Sequence, residues 1–174
     1  INSGPDAVTD NITVTEDTTN VVIKVQVNDT DADGDALTTT IVSGPTSGGT
    51  VSILNGDSLV YTPGANFNGV DTIIYRVCDP SSVCDIDTVF VTVSPVNDAP
   101  NTGNETLTIN QGSPTTTTTN LTTNNTDPDG TTVTVTTVVS TSGGGTTSIT
   151  GGGTTIDYTP GATFTGIDTI IYTA

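Results

Sequence analysis

The sequence predicts an all-β protein made of two tandem β-sandwiches, and three observations carry that prediction. The stretch YTPGANFNGVDTIIY, Tyr61 to Tyr75, recurs 97 positions later as YTPGATFTGIDTIIY, Tyr158 to Tyr172, with twelve of fifteen letters unchanged. Six of the seven aromatic residues (Tyr61, Phe67, Tyr75, Tyr158, Phe164 and Tyr172) lie inside these copies, so each copy holds most of the large apolar side chains a core needs. Thr, Val, Ile, Gly, Asn and Asp dominate while Met, Trp and His are absent, which is a strand-and-turn composition. A repeat of this length is one small sandwich domain. Residues 1–96 make a complete unit, and residues 97–174 make a second that lacks its final strand.

In the first unit, short apolar alternations are separated by turn signals, as a sandwich requires. Ile12 and Val14 open a first strand. Val21 to Val27 reads as a second, with Ile23, Val25 and Val27 on one face and Lys24 and Gln26 on the other. Leu37 to Val42, Val51 to Ile53 and Leu59 to Tyr61 follow, and Asp71 to Cys78 with Ile86 to Val93 form a long hairpin, giving about seven strands. Within that hairpin, Ile73, Tyr75 and Val77 should face inward, because the alternate face carries Arg76. No 3.6-residue stripe long enough for a helix is present.

The formal net charge of −17, with Lys24 and Arg76 the only basic residues, excludes nucleic acid and anionic membrane surfaces, which need clustered Lys and Arg. So much negative charge should repel itself in the folded state, which points to divalent cations as partners. In VNDTDADGDALT, Asp29, Asp31, Asp33 and Asp35 alternate around Gly34, a spacing that lets a tight loop aim several carboxylates at one hard cation, Ca2+. The competing reading is a solvated Asp-rich turn. Cys78 and Cys84 flank the turn of the long hairpin with no His nearby, which leaves a structural zinc site short of ligands. They read either as an oxidised pair formed outside the cytoplasm or as two exposed thiols.

Taken together, TED at Thr15 to Asp17, NDTDADGD at Asn28 to Asp35, YTP…FNGVDTIIYRVCD and the closing VNDAP resemble the tandem repeats of bacterial cadherin-like, Ig-like domains found in large secreted adhesins. The Cys-containing hairpin is similar to versions common in the Bacteroidota. The resemblance covers nearly all of the first unit and the strands of the second. It implies Greek-key β-sandwiches strung as beads, extracellular at a bacterial cell surface, with calcium at the seam between beads. Its ligand positions fall here on Glu16 with Asp17, on Asp71, on Asn97 with Asp98, and on Asp127 with Asp129. Asp-Ser/Thr-apolar triplets place possible O-glycan acceptors at Ser58, Thr72, Thr88 and Thr169, by resemblance to the Bacteroidota motif.

The second unit departs from this pattern. Gln111 and Gly112 replace the TED acids, Thr131 stands in place of Asp35, and only five of the nineteen acids follow Pro100. Residues 115–119 are five threonines, and GGG occurs at 143–145 and 151–153, a low-complexity Thr/Gly character. Two readings of the missing strand stand: a chain cut from something longer, or a groove filled by another copy as in donor-strand assembly.

Catalysis is not expected, because without His there is no Ser-His or Cys-His pair, and no Gly-rich loop leads into a helix. Two function classes follow. One is a calcium-rigidified stalk of an adhesin or surface filament, whose partners are neighbouring repeats or copies of the same chain. The other is a binding module for surface glycans or, given the Thr arrays, ice. An accessory spacer in a large secreted enzyme would look the same.

Overall fold

The computed structural model describes residues 1–110, 117–121, 123–141 and 143–174. The chain divides into two compact units, Ile1–Val96 and Asn97–Ala174. Gln111, Gly112, Thr115 and Thr116 lie outside the described residues.

The first unit is a two-sheet sandwich. One sheet contains β2 (Asp10–Thr15), β9 (Cys84–Ser94), β8 (Gly69–Cys78) and β5 (Thr38–Ser43) in that order. The other contains β3 (Val21–Ile23), β7 (Ser58–Thr62) and β6 (Thr50–Leu54). A short ribbon pairs β1 (Pro5–Asp6) with β4 (Thr30–Asp31). β2 runs parallel to β9, whereas β8 is antiparallel to both β9 and β5. The hairpin register sets Tyr75 opposite Asp87 and Cys78 opposite Cys84.

The period-2 pattern of the hairpin fills the space between the sheets. Ile73, Tyr75, Val77, Val89, Val91 and Val93 are buried against Leu59 and Tyr61 of the facing sheet, while Arg76 is exposed. The outer face is less polar than the alternation suggests. Phe90 is 41% exposed there, so this aromatic, which a core pattern would place inside, lies on the surface.

One predicted strand is corrected. Val21–Val27 does not stay extended, because after β3 the chain winds into a 3-10 turn over Val25–Val27. Val25 remains buried, but Val27 is 78% exposed. Gln26 is drawn toward the protein instead of outward. Its amide donates to Leu37 O at 3.2 Å, Thr39 Oγ1 at 2.8 Å and Gly56 O at 3.1 Å. Those bonds tie the turn to two neighbouring segments, an outcome that local alternation cannot encode.

Cys78 and Cys84 form a disulfide across the hairpin end. Closing so short a loop restricts the unfolded chain by about 2 kcal/mol. Reduction should therefore lower the urea midpoint of the first unit by a corresponding amount, measurable with and without a phosphine reductant.

In the second unit, β10 (Thr117–Asn120), β13 (Thr155–Thr159) and β12 (Thr146–Thr150) form one sheet. β11 (Thr137–Thr141) pairs with β14 (Ile170–Thr173) in another. These correspond to β3-β7-β6 and to the β5-β8 pair of the first unit. Among the described residues, its core holds Leu121, Val135 and Ile156, with Val138 and Tyr172 packed on them. Among the described residues, no helix is long and apolar enough to cross a membrane.

Candidate metal centre

The Asp-rich loop of the first unit is held by its own backbone. Asp31, at the end of β4, accepts from the Asp33 N–H at 2.8 Å and the Asp35 N–H at 3.4 Å through Oδ1, and the Gly34 N–H reaches the Asp31 carbonyl at 3.1 Å. Gly34 has φ +76°, a left-handed conformation that lets the loop fold back on Asp31. Asp31, Asp33 and Asp35 thereby bring one carboxylate oxygen each within 4.8 Å of one another. Asp31 Oδ2 is buried and accepts no hydrogen bond. Converging, oxygen-only donors with an unpartnered acceptor suit a hard cation such as Ca2+, which takes six to eight oxygens.

The second unit repeats the loop in reduced form. Asp127 Oδ1 accepts from the Asp129 N–H at 2.8 Å, and the Gly130 N–H bonds the Asp127 carbonyl at 3.0 Å. Each loop also grips the chain that leads into its unit. Ser3 N–H donates to Asp33 Oδ2 at 2.6 Å, and Asp98 N–H donates to Asp129 Oδ2 at 2.7 Å. Asn97 turns its amide onto the Asp98 carbonyl at 3.0 Å. Of the remaining seam positions, Glu16 and Asp17 follow β2 in the first unit. Glu16 accepts from the Val96 N–H, and Asp17 is exposed in a left-handed conformation with φ +62°.

Two acids expected among the ligands are placed elsewhere. Asp71 is 0% exposed. Oδ1 accepts from the N–H groups of Thr46 at 2.6 Å, Ser47 at 3.1 Å and Thr72 at 2.9 Å and from Thr46 Oγ1 at 2.9 Å. Oδ2 accepts from Tyr61 OH at 2.8 Å and from Ser47 Oγ. Burial pushes its pKa up, but the bonds from Ser47, Tyr61 and Thr46 outweigh that and leave it lowered. With every acceptor position engaged by protein donors, Asp71 is a structural hub and is removed from the ligand set. Its counterpart Asp168 accepts from Gly143 N–H at 2.7 Å, Tyr158 OH at 2.7 Å and Thr169 N–H at 2.9 Å. The repeated stretch thus carries a Tyr and an Asp that meet across the fold in both units. Burial first, then the Asp168 carboxylate, pushes Tyr158 up to about 12.

Asp29 leaves the loop as well. It is 9% exposed, and its Oδ1 accepts from the Val8 N–H at 2.8 Å and Tyr75 OH at 3.0 Å. Asp10 lies in the same place, and burial followed by the Asp29 charge pushes its pKa up to about 6. Burial likewise raises Asp29, with Asp87 and Asp85 adding to it against the lowering bonds from Val8 and Tyr75. Burial and the Asp29 and Asp10 charges push the Tyr75 phenol up. This second acidic group was not read from the sequence. The sequence offered only that Asp10 and Asp29 of the first unit stand where the second has Glu105 and Asn125.

Among the O-glycan candidates, Ser58 is buried at 5% exposure with Oγ donating to Asp57 at 2.8 Å, which withdraws it as an acceptor. Thr72 and Thr88 are half-buried, and Thr169 is exposed.

Among curated proteins, none matches the sequence. Several solved structures are similar in fold. Cadherin domains 3–6 of protocadherin gamma B2 superpose with a TM-score of 0.57 at 12% identity, over 97% of this chain and 46% of that one. The human desmocollin-1 ectodomain gives 0.53 at 14% identity, over 99% and 36%. An endo-fucoidan hydrolase of glycoside hydrolase family 107 gives 0.43 at 20% identity, over 97% and 28%. The chain thus spans less than half the length of each. The family model described as a bacterial Ig domain matches twice, over residues 2–92 and 97–174. Two sandwiches built on one repeated stretch, each matched by the same family model, make this chain a member of the bacterial Ig domain family.

Proposed function

We propose that these domains are non-catalytic structural repeats of an extracellular adhesin or surface filament, stiffened by calcium, whose partners are neighbouring repeats or copies of the same chain. The observation that carries the reading is the pair of matching Asp loops. Each unit carries one, and each loop bonds the backbone near the start of its own unit, through Ser3 to Asp33 and through Asp98 to Asp129. A cation in such a loop holds the entering chain as well as the loop, so the angle at which a repeat is entered becomes fixed. The proposed seam ligands are Glu16 and Asp17 with Asn97, Asp98, Asp127 and Asp129. The disulfide supports an oxidising, extracytoplasmic location.

Calcium at a hundredfold excess over its Kd should stabilise the folded chain by about 2.7 kcal/mol for one site. A calcium titration followed by melting and by small-angle scattering tests the proposal. The expected result is a higher Tm and a narrower distribution of particle lengths with calcium, both reversed by chelator. If neither melting nor scattering responds, calcium stiffening is wrong.

A further inference from the structure

We propose that the first unit binds a further hard divalent cation of the calcium class at Asp10, Asn28 and Asp29, separate from the Asp31–Asp33–Asp35 loop. Three oxygens on these side chains, Asp10 Oδ2, Asn28 Oδ1 and Asp29 Oδ2, are buried without a hydrogen-bond partner. All three are acceptors, and the donors nearby do not reach them. Tyr75 OH lies 3.0 Å from Asp29 Oδ1 and 3.1 Å from Val8 O, the Val8 N–H is used on Asp29 Oδ1, and the Asn28 amide donates to Val8 O at 3.0 Å. Tyr75 and Asn28 also hydrogen-bond the Asp10 side chain, yet its Oδ2 stays without a partner. Asp85 and Asp87 add further negative charge, and each is tied to the same segment, through Ala7 N–H at 2.9 Å and Thr9 Oγ1 at 2.7 Å. Lys24 lines the open groove beside Asp10 and Asn28 without hydrogen-bonding either. Buried acceptors that lack donors, gathered with excess negative charge, are what an oxygen-seeking cation satisfies.

The second unit supplies an internal comparison. Asn125 replaces Asp29, Glu105 replaces Asp10, and Tyr172 replaces Tyr75. There Asn125 Oδ1 accepts from Gly103 N–H at 2.8 Å, and its Nδ2 donates to Tyr172 OH at 3.3 Å, while Tyr172 OH also reaches Glu105 Oε2 at 3.1 Å. Neither Asn125 nor Glu105 is left with a buried, unpartnered oxygen. The same frame with one carboxylate is closed by its own amide. With two carboxylates it is left with acceptors only, and the cation takes the place of the missing donor and charge.

The test uses the full chain carrying Asp31, Asp33, Asp35, Asp127 and Asp129 as Asn, which removes both loop sites. In that background, Tb3+ should still give saturable luminescence through tyrosine excitation, since Tyr75 OH bonds Asp29, and Ca2+ should still raise the Tm. Adding Asp29→Asn should weaken Tb3+ affinity at least tenfold and abolish the calcium response, while raising the Tm in chelator. Asp10→Asn should do the same. As a check that does not depend on the multiple variant folding, Asp29→Asn and Asp10→Asn in the otherwise unaltered chain should each lower calorimetric Ca2+ stoichiometry by one. Loss of all cation response in the loop-less background, or a stoichiometry unchanged by either substitution, would overturn the proposal. The stiffening at the seam fails separately, by an unresponsive scattering profile with this stoichiometry change intact.

Discussion

Replacing Asp71 by alanine should cost the first unit about 3 to 5 kcal/mol, a large part of the 5–15 kcal/mol by which a domain is stable. The physical reason is the number of donors that converge on this one side chain. Backbone N–H groups of Thr46, Ser47 and Thr72 and hydroxyls of Thr46, Ser47 and Tyr61 all end on it in a site closed to solvent. Without the carboxylate, the three N–H groups have no alternative acceptor, whereas the hydroxyls can rotate. Asp71→Asn keeps the shape and one acceptor oxygen and should cost only about 1 to 2 kcal/mol. Urea denaturation of the two variants checks the order. The pH dependence follows from the lowered pKa. Folding favours the ionised form, so the stabilisation is complete at neutral pH, above the unfolded carboxylate pKa of about 3.9. It is lost as acidification passes below that value toward the folded pKa. Asp71→Asn should therefore show a shallower fall in Tm below about pH 4 than the unaltered protein. An equally steep fall would mean that other carboxylates control acid unfolding.

Gly49→Ala should destabilise the first unit by about 3 kcal/mol, the upper end of ordinary overpacking. A Cβ at Gly49 would overlap the Thr62 carbonyl oxygen and lie 3.0 Å from the Gly64 nitrogen. Those are backbone atoms at the end of β7 and in the turn that follows it, so no side-chain rotation relieves the contact. Gly34→Ala is the informative comparison, since nothing lies within 4 Å of its Cβ and only its positive φ opposes the change. It should cost about 1 kcal/mol through backbone strain, with its larger effect on calcium affinity. Melting curves of the two variants in chelator separate steric from conformational cost. If Gly49→Ala were the milder of the pair, the close approach of β6 and the turn after β7 would be wrong.

Much of the architecture was legible because it depends on periodicity. The alternation of Ile73, Tyr75 and Val77 against Arg76 placed the hairpin's inner face, and the duplicated stretch located the unit that folds. Polar residues were harder, because a carboxylate reads the same in sequence whether it waits for a cation or is already saturated. Asp71 looked like a ligand until Thr46 and Ser47, some 25 residues away in sequence, proved to supply its partners. Asp29 looked like one member of an alternating run, but Tyr75, 46 residues on, draws it inward.

By itself, then, the amino-acid sequence determined the all-β class, the two repeats, the long hairpin with its Cys pair, and Asp31, Asp33 and Asp35 as a cluster around Gly34. These follow from local alternation and turn chemistry within a few residues. Only the tertiary structure decided which acids remain available, that Val25–Val27 turns instead of continuing its strand, and that Asp10 joins Asn28 and Asp29. The reason is that hydrogen-bond saturation and burial are set by segments distant in the chain, and a carboxylate's role depends on how many donors those segments bring to it.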